Sequence, residues 1–134
     1  LEKRAIKFLE AYKTDKRFTF IGRSLLYRGL LTEKFINTGV ETKFNDARSQ
    51  LDLDLLKWVY KNAVRIRQLA KEVGLTISQL AILYAVMNPA VSIGLIGIRT
   101  FDNLDSLENL IGMSQSKIQS CYEIATNYIP LSID

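Results

Sequence analysis

Basic and hydroxyl residues follow the first predicted strand and have the composition of an anion-binding loop. Residues 23–34 read Arg-Ser-Leu-Leu-Tyr-Arg-Gly-Leu-Leu-Thr-Glu-Lys. Within this loop, Ser24 supplies a hydroxyl group, Gly29 an unhindered backbone and Lys34 a cation. Because the backbone N–H groups that leave the end of a strand are unpaired, such a loop can bind a phosphate group. An ordinary basic surface loop has the same composition, and that alternative stays open.

A second candidate anion site lies where the other predicted strand meets a helix. Gly97 and Arg99 end a long apolar run, and a helical pattern begins at residue 100. A helix N-terminus carries free N–H groups and a partial positive charge, both of which favour an anion. Arg99 adds a forked donor that suits phosphate, and Gly97 would let a ligand approach the backbone closely. A surface arginine after a core strand is the alternative.

The composition excludes several kinds of catalytic site. The 134 residues include no His and a single Cys, Cys121. Ser–His and Cys–His catalysis and His-based zinc sites therefore cannot be built from this chain alone, and we predict no metal site. A single cysteine cannot form an internal disulfide and fits a reducing compartment, so we expect a cytoplasmic protein with Cys121 in its core.

Charge and hydropathy limit the partners to be expected. No basic-then-apolar leader precedes the first helical pattern, and no apolar run reaches the roughly 18 residues of a membrane span, so we predict neither a secretory signal nor a membrane partner. The first 50 residues are basic, which suggests an anionic partner, although solvated helix faces would look the same. A nucleic acid is not the expected partner, because the basic residues do not cluster on a reading helix.

Two strands and five helices are predicted along the chain. Helices are predicted over 2–13, 53–73, 77–88 and 100–111, with a last one after Ser114, and strands over 18–23 and 91–98, while 24–50 is predicted to be irregular. The second strand is apolar throughout, which is typical of a strand buried on both faces of a parallel sheet. Two strands cannot cover such a sheet, so the chain is predicted to be part of a larger α/β domain or to need a partner chain.

Helix ends are marked by local signals around the longest predicted helix. Asp52 is placed to cap its N-terminus, and Gly74 is a natural stop at its C-terminus. Thr76 and Gln79 match a capping box, which predicts that the next helix begins at residue 77.

Three segments resemble, in the same order, motifs of one enzyme family. The run from Ser24 to Lys34 resembles Ser-Pro-Leu-x-x-Gly-x-Leu-Thr-Gly-Lys, which ends the seventh strand of that family, and the run from Gly97 to Leu104 resembles its Gly-Ala-Arg-Thr-x-x-Gln-Leu motif. Residues 68–82 resemble the helix pair between them. Over essentially all 134 residues, the chain resembles the C-terminal portion of an aldo-keto reductase, an NADP(H)-dependent (β/α)8 barrel with an α/β fold.

The resemblance implies a set of cofactor-binding residues at the loops after strands 7 and 8, where such barrels bind phosphate. Ser24, Leu26 and Gly29 would face the pyrophosphate, Lys34 would neutralise phosphate charge, and Arg48 would fold over the cofactor. Gly97 and Arg99 would border the adenosine 2′-phosphate, and Asn103 would contact the adenine side. The implied cofactor is NADP(H).

The sequence departs from the family pattern at the same loops. Leu25 stands where the family has proline, which makes the loop less rigid. Glu33 replaces a glycine and adds a negative charge beside the implied phosphate site. Aligned on Gly97, the family's adenine-binding Glu-Asn pair falls on Ser106 and Leu107, while a Glu-Asn pair stands two positions later at 108–109. Either the chain has a small insertion here or the adenine contact is lost.

The resemblance implies reduction of an aldehyde or ketone to an alcohol by the complete enzyme. The family's catalytic Asp, Tyr, Lys and His come from earlier strands, so this chain alone is predicted to be inactive and to need those N-terminal strands or a partner chain. Its expected ligands are NADP(H) and, in the assembled enzyme, a small carbonyl substrate. The alternative is an orphan or split fragment with a structural or regulatory role that binds a nucleotide or a partner without chemistry.

Overall fold

The computed structural model describes residues 3–41, 43–98 and 101–128, which form six helices and one pair of strands. In chain order the elements are α1 (Lys3–Tyr12), β1 (Ile21–Gly22), α2 (Glu33–Thr38), α3 (Leu53–Glu72), α4 (Ile77–Val86), β2 (Ile93–Gly94), α5 (Phe101–Ile111) and α6 (Gln115–Tyr128). Short 3-10 helices span Tyr27–Gly29 and Ala47–Gln50. Residues 2 and 100, where two of the predicted helices begin, lie outside the described residues. The expectation of an α/β fold, mostly helical with two parallel strands, is confirmed.

The two strands pair in parallel, but they are much shorter than the sequence predicts. Ile21 pairs with Ile93 and Gly22 with Gly94. Three further hydrogen bonds flank these pairs: the N–H groups of Ser92 and Ile93 donate to the Phe20 carbonyl (2.9 and 3.3 Å), and the Leu95 N–H donates to the Gly22 carbonyl (2.8 Å). The predictions of strands over 18–23 and 91–98 were therefore too long. Each strand has one partner among the described residues, and a backbone without a second neighbour makes too few ladder hydrogen bonds to remain regular.

The expectation that β2 is buried on both faces is wrong for this chain. Ile93 and Leu95 are 47% and 54% exposed, and Ile21 on β1 is exposed beside them. These side chains project to one side because alternate residues of a strand share a face. The apolar pattern was recognised correctly, but no described element covers this face. The apolar residues Ile21, Ile93 and Leu95 form what we call the open face.

Helices α3, α4 and α6 enclose the larger of two apolar cores. α4 contacts both of the other helices, and its apolar residues are buried almost all round, as the sequence predicts. The buried members of this core are Ile36, Ala63, Ile66, Ala70, Leu75, Ile77, Leu80, Leu83, Cys121 and Ala125. A smaller core beneath α2 consists of Leu30, Phe35, Leu56 and Val59. The α2 region is thereby packed onto α3 and α4.

The predicted starts of α3 and α4 and the stop of α3 beside Gly74 are confirmed, whereas α4 ends at Val86, two residues before its predicted end at 88. The Asp52 carboxylate accepts hydrogen bonds from the N–H groups of residues 54 and 55 (2.8 and 3.2 Å). At the other end of α3, the Leu75 N–H donates to the Ala70 carbonyl, an arrangement that closes the last turn at Gly74. Thr76 and Gln79 form both hydrogen bonds of the capping box.

No single described helix is long and apolar enough to cross a membrane. The pair α3 and α4 meets that test of length and composition only when taken together, with a bend of 88° at the break between them. Most of the apolar residues of α4 are buried in the core of the protein.

The segment predicted to be irregular contains α2, which the sequence analysis missed. The Thr32 side chain accepts a hydrogen bond from the Phe35 N–H (3.3 Å) and caps this helix, and Gly39 ends it. Glu33 in the first turn is a further N-terminal signal. The helix has only six residues, too few for a periodic apolar pattern to stand out from a loop.

Cys121 lies in the main core, as predicted, and its burial leads to a test of reactivity. The residue is 2% exposed, and burial raises the pKa of the Cys121 thiol, opposed by the charge of Lys117. Thiolate is the reactive form, so the folded chain should react with a disulfide reagent at least about 100-fold more slowly than the urea-unfolded chain. Equal rates in the two states would contradict the core placement.

The same pKa shift predicts how stability changes at alkaline pH. A thiol with a raised pKa keeps its proton in the folded state to a higher pH than in the unfolded state, where the pKa is about 8.5. Below the pKa of the unfolded thiol, this contribution to the free energy of unfolding is fully present. It is lost as the pH rises towards the higher pKa of the folded thiol. Urea midpoints measured from pH 7 to about pH 9.5 should fall less steeply in Cys121→Ala than in the unchanged chain.

Candidate functional site

The loop that follows β1 contains a left-handed turn. Tyr27 and Arg28 have φ angles of 47° and 58°, Gly29 follows at 81°, and Ser24 has 59°. For residues with a side chain, this conformation costs roughly 1–2 kcal/mol each. The Tyr27 N–H donates to the Ser24 carbonyl (2.7 Å) and the Gly29 N–H to the Leu26 carbonyl (2.9 Å). Strain of this kind persists where the surroundings hold the backbone in place, and it is concentrated at functional sites.

Leu25, at the position where the resemblance leads one to expect proline, docks the loop on the two strands. A Cβ built at Gly94 would lie 2.9 Å from Leu25 Cδ1 and 2.7 Å from Val86 Cγ1. At Gly22, it would lie 3.4 Å from Leu25 Cδ2. The strand glycines therefore leave the space that Leu25 fills, and apolar packing here does part of what a rigid proline would do.

Arg48 connects the 3-10 helix that contains it, Ala47–Gln50, to this left-handed loop. Its Nε and Nη2 donate to the two carboxylate oxygens of Asp46 (2.9 and 2.7 Å). Its Nη1 donates to the Arg28 carbonyl (3.4 Å), and its guanidinium carbon lies 4.4 Å from the centroid of the Phe44 ring. A Cβ at Gly29 would lie 3.4 Å from Arg48 Nη1. Arg48 is thus held firmly, with its Nε–Nη2 edge occupied by Asp46.

The residues around Arg48 line a pocket with a volume of about 420 Å³. This volume is within the range of about 300–1,000 Å³ that is usual for small-molecule sites. The lining residues are Gly29, Thr32, Lys34, Phe35, Thr38, Lys43, Phe44, Asn45, Asp46 and Arg48. Three cations and one carboxylate are among them, so the pocket favours an anionic ligand.

Two lysines supply the charge that remains available in the pocket. Thr32 donates its hydroxyl proton to the Gly29 carbonyl (2.8 Å), and Thr38 donates to the Lys34 carbonyl (2.9 Å), so both hydroxyl donors are already used within the chain. Lys34 and Lys43 are exposed. In the described ranges, neither ammonium group has a carboxylate within ion-pair distance. Their charge is therefore free to attract an anion.

Helix α2, which carries Lys34, is anchored to the core helices. The Tyr60 hydroxyl on α3 donates to the Ile36 carbonyl (3.3 Å), and the Ser78 hydroxyl on α4 donates to the Leu31 carbonyl (3.0 Å). An ion pair joins α3 and α2 near the same point, because Arg67 Nε lies 3.7 Å from Glu33 Oε2. Neither member of this pair lines the pocket.

The structure brings together three of the residues that the sequence assigns to cofactor binding. Gly29, Lys34 and Arg48 all line the pocket, although they are up to 19 positions apart in the chain. Ser24 and Leu26 lie in the preceding loop and do not line it. Both contribute backbone carbonyls that close the left-handed turn, so in this structure they shape the loop that leads to the pocket.

The second predicted anion site is described only in part. Gly97 is exposed after β2, and a Cβ built there would meet no atom of the described residues within 4 Å. It does not line the pocket. Arg99 lies outside the described residues, as does the side chain of Asn103. Their implied contacts with the 2′-phosphate and the adenine stay predictions.

Seven of the ten pocket-lining residues were not assigned to the site by the sequence analysis, and three of these seven carry charge or contact Arg48. Lys43, Phe44 and Asp46 lie in the segment predicted to be irregular. Asp46 had a recognisable signal, since it stands two residues before Arg48 and accepts a hydrogen bond from that residue's N–H (3.0 Å) as the cap of a short helix. Lys43 had no recognisable signal in the sequence, because its position depends on the packing of its neighbour Phe44 against Phe35 of α2, whose ring centroids lie 6.3 Å apart.

The chain is similar to one known family in sequence and to one of its solved structures in fold. A model of the aldo/keto reductase family matches residues 2–126. The glycerol dehydrogenase of Gluconobacter oxydans superposes on 92% of the chain with a TM-score of 0.63 and 20% sequence identity. The chain spans 41% of the length of that enzyme. No curated protein sequence matches it.

These matches agree with the paired parallel strands and the helices around them. The solved enzyme shares the fold, so the described elements correspond to part of an α/β barrel. The family match extends over the loop after β1, the pocket, the helix pair α3–α4 and the segment after β2. The chain belongs to the aldo/keto reductase family.

Proposed function

We propose that this chain is the cofactor-binding part of an NADP(H)-dependent oxidoreductase that reduces aldehydes or ketones to alcohols. The observation that carries the proposal is the pocket that joins Gly29, Lys34 and Arg48 beside the loop after β1. Family membership supports a nicotinamide cofactor, and an excess of cations in the pocket supports a phosphate-bearing one. The proposed location is the cytoplasm.

The residues of the pocket fit the phosphate end of such a cofactor. Lys34 and Lys43 offer ammonium donors without carboxylate partners in the described part of the chain. The lack of a side chain at Gly29 keeps the backbone accessible next to Arg48. The volume of about 420 Å³ suits a portion of a dinucleotide, with the remainder extending along the ends of the strands.

In this proposal, the residues of the chain bind and orient the cofactor. When bound, a nicotinamide cofactor supplies the hydride for carbonyl reduction. Lys34 and Lys43 hold the negative charge of its phosphates. The Asp46–Arg48 pair and the anchors of α2 keep these groups in place, so the cofactor does not have to order them on binding.

The open face supports the proposal that the chain acts within a complete barrel. Ile21, Ile93 and Leu95 are apolar and exposed on one side of the strand pair. A barrel interior is filled by such side chains from neighbouring strands. The chain contains no His, so a catalytic His must come from the other barrel strands, carried by the same polypeptide or by a partner.

Reassembly tests the proposed function. The chain should be mixed with a polypeptide that carries the remaining strands of the barrel, and consumption of NADPH should be followed with aldehyde and ketone substrates. We expect reduction with the mixture and none with either piece. A verified complex that binds NADPH without activity would instead favour a nucleotide-binding role without chemistry.

Arg99 provides a separate test of the 2′-phosphate preference. Because its implied partner is that phosphate, Arg99→Ala should weaken NADPH binding by about tenfold or more and leave NADH binding nearly unchanged. Titration of the assembled protein with both cofactors measures the difference. Equal weakening of both would remove Arg99 from that role.

A further inference from the structure

An acidic residue, Glu33, directly precedes Lys34, the first of the lysines that line the pocket. Glu33 is the first residue of α2, between the pocket-lining residues Thr32 and Lys34. An uncompensated negative charge at this position would repel a phosphate bound by Lys34. Binding of an anion in the pocket therefore requires a positive charge that compensates the carboxylate of Glu33.

Arg67 on α3 provides that charge. Its Nε lies 3.7 Å from Glu33 Oε2, and both side chains are only partly exposed. Two neighbouring hydrogen bonds fix α2 against the helix pair, from Tyr60 to the Ile36 carbonyl and from Ser78 to the Leu31 carbonyl. The packing of α2 against α3 therefore places Arg67 within ion-pair distance of Glu33.

We infer that Arg67 is a positioning residue for anion binding, which neutralises Glu33 and directs it away from the Lys34 pocket. The inference rests on the proposed function, since it assumes that the pocket takes a phosphate-bearing ligand. Glu33 is absent from the pocket lining while both of its neighbours are present in it. The ion pair thus allows an acidic residue beside the site without a net negative contribution.

Three variants separate this role from a purely structural one. Arg67→Met leaves Glu33 uncompensated and should weaken anion binding by about three- to fivefold, the size expected for charges near a solvated surface. Glu33→Gln leaves the positive charge of Arg67 uncompensated and should tighten anion binding by a similar factor. The double variant should return to within about twofold of the unchanged protein, because the lost charges cancel.

A second ion pair on the same helix serves as the matched control. Lys57 Nζ lies 3.6 Å from Asp54 Oδ1 on α3, and neither residue lines the pocket. Lys57→Met changes the net charge by the same amount as Arg67→Met. It should alter anion affinity by less than about twofold, because the Lys57–Asp54 pair is much more exposed to water than the Arg67–Glu33 pair, so that solvent weakens the effect of its charge.

The experiment is calorimetric titration of the assembled protein, which contains the full chain, with NADPH and, separately, with sodium pyrophosphate. At about 0.01 M ionic strength, where the Debye length is about 30 Å, we expect the opposite shifts of the two single variants and their cancellation in the double variant; at about 1 M the differences should vanish. Circular dichroism confirms folding, and Glu33→Gln keeps the test decisive if Arg67→Met fails to fold.

The outcomes distinguish this inference from the proposed function. If the unchanged protein binds NADPH but Glu33→Gln has no effect, or if Arg67→Met and Lys57→Met weaken binding equally, the role of Arg67 is wrong and the proposed function stands. If the unchanged protein binds neither NADPH nor pyrophosphate, both the proposed function and the role of Arg67 are overturned.

Discussion

Lys34→Ala should weaken NADPH binding by about tenfold to a hundredfold, the range expected when a charged hydrogen bond to phosphate is lost. Lys34 lines the pocket, and its ammonium group has no carboxylate at ion-pair distance in the described ranges. Its full charge is therefore available to a ligand. The pocket hydroxyls of Thr32 and Thr38 cannot compensate, because they already donate to backbone carbonyls.

Fluorescence or calorimetric titration of the assembled protein with NADPH measures this loss. Lys61→Ala is the matched control, since Lys61 is an exposed lysine of α3 that does not line the pocket. At about 0.15 M ionic strength, the control should bind NADPH within about twofold of the unchanged protein, because the exposed charge of Lys61 does not border the pocket. Equal affinities in Lys34→Ala and Lys61→Ala would mean that phosphate is held elsewhere, and the pocket would lose its assigned role.

The helices of this chain were predictable wherever their ends are marked by neighbours in sequence. Asp52 and the Thr76–Gln79 pair make their capping hydrogen bonds within three residues. Such contacts depend on backbone geometry alone, so a short run of residues contains all the information that they need. The burial of Cys121 was predictable for a related reason, because an apolar stripe on a helix has to face a core.

Strand length and burial were not predictable, because they depend on neighbours that the local sequence does not specify. The apolar run over 91–98 indicated a strand buried on both faces, yet β2 spans two residues and exposes Ile93 and Leu95. Hydropathy reports what a strand requires from its surroundings, and no described element of this chain supplies those surroundings on the open face. The apolar pattern therefore indicates a need for covering elements, and it does not show whether the chain itself provides them.

The candidate site was predictable to the extent that motif residues share a loop. The spacing of Gly29 and Lys34 follows from the resemblance, and both line the pocket. The anchors were not predictable, since the Ser78 hydroxyl meets the Leu31 carbonyl across 47 positions of the chain. No pattern within a short window shows that contact, although it helps to decide where Lys34 lies.

The second large effect is expected in the core, where Leu80→Ala should destabilise the chain by about 2–5 kcal/mol. Leu80 is 0% exposed in the middle of α4, which packs against both α3 and α6. Removing most of its side chain loses apolar burial and leaves a cavity that the three helices cannot close without moving together. The melting temperature should fall by roughly 4 °C for each kcal/mol.

Urea and thermal unfolding followed by circular dichroism measure this effect, with Leu104→Ala as the control. Leu104 is an interior residue of α5 and about half exposed, so its truncation should cost well under about 1 kcal/mol. Because both changes replace leucine by alanine within a helix, the change in helix propensity is the same in both variants. The difference between their losses of stability therefore reports the burial of the side chain. A loss of stability in Leu80→Ala no larger than in Leu104→Ala would show that α4 is not the centre of the core, and the anchoring of α2 through Ser78 would then lose its rigid support.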